Sequence, residues 1–234
     1  MASVNSRWRR SVRLRGHWRT LRLAALWCAV RLRHPGRAVP PGFDLEFGLA
    51  TDRNGDKPGE RATPVQGVEY GPVDLEHFAE LMALVEFTRN DFVFCDFGCG
   101  RGRALMLASA FPFRQIRGVE YDRDLARSAQ CHLERWARRR WPSKRCHDFG
   151  VEWADATGWD FPIAPSVFYF NEPLNPPQLA VVAARIRASL AAHPRDAYVL
   201  YLGDWGAPVW EAEHDFALVF AADDRRAYRW QGRA

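Results

Sequence analysis

Where an apolar run gives way to a helix-like stretch, the chain reads Asp96-Phe97-Gly98-Cys99-Gly100-Arg101-Gly102, an acidic residue followed by three glycines at alternate positions. Glycine lets the backbone turn sharply and lets a ligand approach where a Cβ would block it. A helix starting behind such a turn offers unpaired N–H groups to a carboxylate or phosphate. The stretch is therefore a candidate nucleotide-binding turn. Spacing narrows the ligand, because a dinucleotide fingerprint would need a third glycine at position 103, which is Arg103.

Three further sites carry chemistry. Gly118-Val119-Glu120 places a carboxylate 18 residues beyond Gly102, at the end of a predicted strand, where it can accept from both hydroxyls of a ribose. Asp122 is the weaker alternative for that role, and capping the next helix is the competing use of Glu120. Asp155 follows another strand, where an ordinary turn aspartate is the alternative reading. Asn171-Glu172-Pro173-Leu174 closes a fourth strand. Asn171 can accept an N–H through its side-chain oxygen, and Glu172 can attract an amine or act as its base. Plain turn residues are the competing account of Asn171 and Pro173.

The elements that must position these residues alternate between short apolar runs and longer amphipathic ones, the mark of βαβ units. Strands are predicted at Phe92–Cys95, Gln115–Glu120, Phe149–Trp153, Val167–Phe170 and Ala197–Gly203. Helices are predicted from Asp74 through Val85, and over 103–110, 123–139 and 178–191. Two closing strands, Phe216–Phe220 and Tyr228–Trp230, have no helix between them. The series predicts an α/β fold: a Rossmann-like, seven-stranded, mostly parallel sheet with an antiparallel edge and helices on both faces. Residues 1–43 read as a basic extension with a helix over 12–32, residues 44–66 as a loop or lid, and residues 67–234 as the domain proper.

Composition sets the bounds. With 234 residues, 47% apolar and 13% aromatic, the chain can build one sizeable core, which excludes wholesale disorder. The net charge of +5 is split unevenly: ten arginines and no acid precede Asp44, which leaves −5 on the rest. Five cysteines without a Cys-x-x-Cys pair point to a reducing, cytoplasmic setting rather than a disulfide scaffold. The apolar run Leu23–Val30 is eight residues, against about 20 needed to span a membrane. An acid-free, Arg-rich start also suits an organellar transit peptide, and its interleaved Trp8, Trp18 and Trp27 suit an anionic membrane surface or nucleic acid. Cys131-His132 and Cys146-His147 lack metal-ligand spacing, so no metal is expected. Cys95 and Cys99 read as packed thiols, and the basic run 135–145 reads equally as a phosphate contact or a solvated helix end.

The Asp-x-Gly-x-Gly-x-Gly turn in its strand–turn–helix setting resembles motif I of the class I S-adenosylmethionine-dependent methyltransferases. With Gly67-Val68-Glu69-Tyr70-Gly71-Pro72 and Gly118-Val119-Glu120, it is loosely similar to the non-SET protein-lysine methyltransferases and their small bacterial relatives. The likeness runs from about residue 67 to 201. It implies that S-adenosyl-L-methionine is held by Tyr70, Asp96, Gly98, Cys99, Gly100, Gly102, Glu120, Asp155 and Asn171, with Asp96 orienting the turn and the methionine amino group, Glu120 on the ribose and Asp155 on the adenine. Asn171-Glu172-Pro173 resembles the Asn-Pro-Pro-aromatic motif of amino-group methyltransferases, with Glu172 in place of a proline and Leu174 in place of the ring. The resemblance implies methyl transfer to nitrogen, on a protein amine or an amine-bearing small molecule. A nucleic-acid methyltransferase using the Arg-rich arm and a non-catalytic cofactor-binding module are the competing readings.

Overall fold

The computed structural model describes residues 44, 49–51, 73–87, 91–138 and 144–232. The chain divides into two compact units, residues 1–53 and 54–234, a division that falls inside the predicted loop. In the first unit the described residues are few. Asp44 is buried there, its Oδ1 accepting from Thr51 Oγ1 at 2.5 Å and its carbonyl from Leu49 N at 2.9 Å. The predicted 12–32 helix and the Tyr70-x-Pro72 turn lie outside the described residues.

The second unit is built on seven strands: β1 (Val93–Phe97), β2 (Gln115–Glu120), β3 (Phe149–Trp153), β4 (Ser166–Asn171), β5 (Ala197–Leu202), β6 (Phe216–Ala222) and β7 (Arg225–Trp230). They lie in the order β3-β2-β1-β4-β5-β7-β6. The first five are parallel; β7 runs antiparallel between β5 and β6. The Rossmann-like, mostly parallel sheet with an antiparallel edge is thus as expected. The chain reverses direction in order between β1 and β4, and such a switch point leaves a crevice beyond the strands' carboxyl ends.

Five helices accompany the sheet among the described residues of this unit: α1 (Leu75–Met82), α2 (Arg103–Ala108), α3 (Arg123–Ala137), α4 (Pro176–Ala192) and α5 (Ala207–Glu211). Each of the three longer ones begins at a short polar cap. Asp74 Oδ1 accepts from Glu76 N and His77 N, Asp122 Oδ1 from Asp124 N and Leu125 N, and Asn175 Oδ1 from Gln178 N. These side chains satisfy backbone donors that the first turn leaves without partners. Helix α5 was not foreseen; Pro208 near its start was the available signal.

Strand alternation sorts the interior into two halves. On one face Cys95, Phe97, Phe168, Phe170, Val199 and Tyr201 meet Leu179, Val182 and Ile186 of α4 and Trp210 of α5. Phe97 and Phe170 stack there at 4.4 Å. On the opposite face Phe94 and Tyr169 pack around Phe78 of α1. Ion pairs Arg225–Glu80 and Arg229–Glu86 tie β7 to α1 and the segment after it. Strand β1 runs two residues further than predicted, so Asp96 belongs to the sheet and shares the face of Phe94 and Tyr169.

Candidate active site

The glycine turn sits at the end of β1, as its sequence requires. Gly98, Gly100 and Gly102 all have positive φ, at 66°, 52° and 81°, which L side chains enter only at a cost. Gly98 N and Cys99 N both donate to Val119 O, at 2.9 and 3.1 Å, and Gly102 N donates to Cys99 O at 2.8 Å. The outer side of the turn is held by α3, where His132 Nδ1 lies 3.0 Å from Arg101 O. Arg103 opens α2 as a buried residue and donates from Nη1 to Val73 O at 3.5 Å, just before α1.

The glycines do more than clear a path for a ligand. A Cβ on Gly98 would lie 2.3 Å from Pro173 Cβ, so the end of β4 is packed directly onto the turn. Gly118 has the same duty toward Cys99, whose Cβ and Sγ would both lie 2.8 Å from a Cβ there. Cys99 is buried beneath the turn, and burial pushes its thiol well above the usual range. It packs beneath the turn, in keeping with the reading of a packed thiol.

Glu120 joins the turn to β2. It is only 8% exposed; its Oε2 accepts from Gly100 N and its Oε1 from Asp122 N, each at 2.8 Å. An ionised carboxylate has about four lone-pair sites, so one on each oxygen remains for two hydroxyl donors. Burial raises its pKa, and the two backbone donors work against that shift. The helix-capping alternative falls to Asp122, which caps α3, leaving Glu120 to face the turn. Asp155 is exposed, and its Oδ1 accepts from both Thr157 N and Thr157 Oγ1 at 2.8 Å, the hydrogen bonding of a turn aspartate. Tyr121, 47% exposed, follows Glu120, and its carbonyl accepts from Trp153 Nε1 at 2.9 Å. Neither ring was singled out from sequence, although an aromatic directly after the β2 carboxylate was a usable signal.

Asp96 has the most confined setting. It is 2% exposed and no hydrogen bond reaches its carboxylate among the described residues. Burial, with the Glu120 carboxylate adding, holds its pKa well above the ordinary value. The folded protein therefore keeps this proton at pH values where the unfolded chain has lost it, so stability falls as pH rises from about the ordinary 3.8. Asp96→Asn is expected to remove that penalty. The melting temperature of the ligand-free variant should exceed the wild-type value at pH 8 and approach it at pH 4. A variant that melts below wild type at pH 8 would refute this account.

The acceptor end is assembled from β4 and the turn after β5. Asn171 is half-buried at the tip of β4, on the face that carries Asp96 and Tyr169. Glu172 has φ 47° and reaches across to the β5–α5 turn, where its Oε1 accepts from Asp204 N at 2.8 Å and Trp205 N at 3.1 Å. Gly203 makes room for it, since a Cβ there would lie 2.2 Å from Glu172 Cδ. Glu172 thus staples two loops, a duty the sequence reading, which considered it only for charge or base work, did not include. Leu174 is buried in the core. Of the rings considered as substitutes for the missing aromatic, Tyr169 and Tyr201 are fully buried, whereas Trp205 is 56% exposed.

The two duties of Glu172 separate by substitution. Glu172→Gln keeps an acceptor at Oε1 and should leave the melting temperature within about 1 °C, whereas Glu172→Ala releases two N–H groups. Both N–H groups are exposed and pass to water, so the loss is the net worth of two hydrogen bonds, roughly 1–3 kcal/mol together, and the alanine variant should melt about 2–10 °C lower. Equal melting of the two variants in a thermal scan would show that the staple is not structural.

No family model matches the chain, and no curated protein matches its sequence. Among solved structures the chain is similar to an RNA methyltransferase from Salinibacter ruber in complex with S-adenosyl-L-homocysteine. That likeness is 18% identical, covers 68% of this chain and 92% of that chain, and has a TM-score of 0.45. It is also similar to the methyltransferase domain of the bacterial CtHen1-C, at 15% identity, 68% and 100% coverage and a TM-score of 0.47. A third is the ribosomal protein L11 methylase from Lactobacillus delbrueckii subsp. bulgaricus, at 11% identity, 65% and 74% coverage and a TM-score of 0.48. At these identities the likeness is one of fold.

Proposed function

We propose that the chain is an S-adenosyl-L-methionine-dependent methyltransferase, and that its acceptor is an amine on a protein or small molecule. The observation that carries this reading is the join between the turn and β2: Gly100 N–H, in a positive-φ backbone, is fixed by buried Glu120 at the carboxyl end of the neighbouring strand. That arrangement suits a nucleoside whose sugar lies across the switch point, with two open lone pairs on Glu120 for its hydroxyls. Asp96, buried and without a hydrogen bond among the described residues, suits a positively charged ligand that would neutralise it.

Bound there, the cofactor supplies an electrophilic methyl group on a sulfonium sulfur. The chain's own task is placement, because an in-line displacement gains most from holding a neutral nucleophile at the right distance and angle. Asn171 offers a side-chain oxygen to an acceptor N–H. The Glu172 staple fixes the loop carrying Trp205, whose exposed ring is available to a cation or a flat acceptor. Cys99, packed under the turn, contributes through backbone and bulk. Asp155 is assigned to the adenine through Oδ2, since Oδ1 is taken by Thr157.

The test is incubation of the protein with methyl-labelled cofactor and fractionated cell extract. Label entering protein or small amines is expected. Label entering nucleic acid would replace the acceptor with a polynucleotide bound through the ten-arginine arm, and binding should then fall steeply with salt. Cofactor binding with no label in any fraction would make the chain a non-catalytic module. An anionic partner for the arm is part of the same proposal, as is a cytoplasmic setting. Among the described residues no helix is long and apolar enough to cross a membrane.

A further inference from the structure

The tip of β4 and the turn after β5 are joined beyond the carboxyl ends of the strands. Pro173 packs on the glycine turn, where a Cβ on Gly98 would lie 2.3 Å from its own. Asn171 and Leu202 are register partners, so residues 203–206 leave the sheet directly beside the Asn171 tip. That second turn is anchored along its whole length. Gly203 N donates to Asp224 O at 2.7 Å, Asp204 N and Trp205 N both donate to Glu172 Oε1, and Gly206 N donates to Tyr201 Oη at 2.8 Å.

Every backbone N–H of the turn thus has a partner, yet its one large side chain is left outside. Trp205 is 56% exposed, and among the described residues neither a ring nor a cation packs on it. Trp153, also exposed, is by contrast already engaged: Arg123 lies over its ring at 5.1 Å and its Nε1 donates to Tyr121 O. The arginines near Trp205 have acidic partners of their own, Arg225 in Asp223 and Asp224, Arg226 in Asp204 and Glu211. A bare indole on a backbone held at four points is a preorganised contact, since little order remains to be imposed on binding.

The two departures from the Asn-Pro-Pro-aromatic pattern meet at this turn. Leu174, where the ring would stand, is buried in the core. Glu172, where a proline would stand, is the residue that ties Trp205 to the β4 tip. We propose that Trp205 supplies the ring that position 174 lacks, brought to the acceptor end by Glu172 from the turn after β5, and that it selects an aliphatic amine. As the nitrogen lone pair bonds to the methyl carbon, the carbon–sulfur bond breaks toward sulfur. Positive charge so passes from sulfur to nitrogen, and the surplus N–H proton leaves to water afterwards. An indole face beside that nitrogen attracts the charge as it grows. The inference rests on the amine reading above and deepens it, naming the side chain that reads the charge.

Two measurements on the full chain test it. In the first, the chain carries 5-fluorotryptophan and bound S-adenosyl-L-homocysteine, and the Trp205 fluorine signal is identified by its loss in Trp205→Phe. Choline should shift that signal at a concentration at least roughly fivefold below that needed by its uncharged isostere, 3,3-dimethyl-1-butanol. In the second, labelled methyl transfer to the amines of cell extract should slow roughly tenfold in Trp205→Leu and stay within about threefold in Trp205→Phe. Both variants should keep S-adenosyl-L-homocysteine affinity within about twofold and melt within about 1 °C of the wild type, because the ring is exposed. Equal response to the two probes, no response to either, or an unslowed Trp205→Leu would overturn the inference alone. So would a parallel loss of cofactor affinity, which would mark Trp205 as structural. Wild-type label in nucleic acid, or in nothing, would overturn the amine reading and the inference with it, and is told apart because in every other outcome the wild type labels amines.

Discussion

Gly98→Ala is expected to lower the melting temperature by on the order of 10 °C. Two costs add at this position. The backbone sits at φ 66°, where a Cβ costs about 1–2 kcal/mol. The added carbon would also fall 2.3 Å from Pro173 Cβ, and relieving such overpacking in a closed site costs about 1–3 kcal/mol more. At roughly 2–4 °C per kcal/mol for a domain of this size, the sum gives the expected drop. Gly102→Ala is the control. Its φ of 81° carries the same backbone penalty, but its Cβ would meet Ala129 Cβ at 3.3 Å, a contact that gives way over a few tenths of an ångström. It should lose less than half as much in a thermal scan. Equal losses would mean that the packing of Pro173 on the turn contributes nothing. Because Pro173 follows Asn171-Glu172, Gly98→Ala should also displace the acceptor end, so any surviving activity would fall further than cofactor affinity.

Glu120→Ala is expected to weaken S-adenosyl-L-homocysteine by at least 100-fold in calorimetry. The variant removes the acceptor of Gly100 N and Asp122 N together with the sites left for two hydroxyls. Hydrogen bonds to a charged group are worth about 1.5–3 kcal/mol each, and every 1.4 kcal/mol is tenfold in affinity. Asp122→Ala separates this from general damage to the segment. Asp122 caps α3, so its loss should cost about 1 kcal/mol of stability and leave affinity within about threefold. If both variants lost affinity alike, the nucleoside would not be read by Glu120, and the assignment of the crevice would have to be abandoned.

These expectations depend on features of unequal legibility. The glycine spacing, the strand ahead of it and the carboxylate on the next strand are local, and each could be read in a few residues. Positive φ is a property of the residue itself, so three glycines in seven positions declared a tight turn before any fold was known. The series of short apolar runs and amphipathic stretches likewise declared the alternating units, because burial on a sheet and on a helix leaves different periods in the chain. Strands β2 and β3 fall at their predicted bounds. Strand β1 does not, since the apolar run that signals a strand stops at Cys95 while its pairing with β2 and β4 continues through Asp96 and Phe97. Asp122 and Glu120 were both readable as cap or ligand, and only the helix start decided between them.

What spacing within the sequence determined, then, was the turn, its acidic partner and the sheet order's raw material. What only the tertiary structure decided was who stands next to whom across the chain. Pro173 lies 75 residues beyond Gly98, Glu172 reaches a turn more than 30 residues on, and Tyr169 faces Asp96 from a different strand. Such contacts follow from strand order and register, and neither is encoded in any local window. A buried hydroxyl beside a buried acid leaves no trace in composition or periodicity, because tyrosine and phenylalanine pattern alike until the neighbours of the oxygen are known.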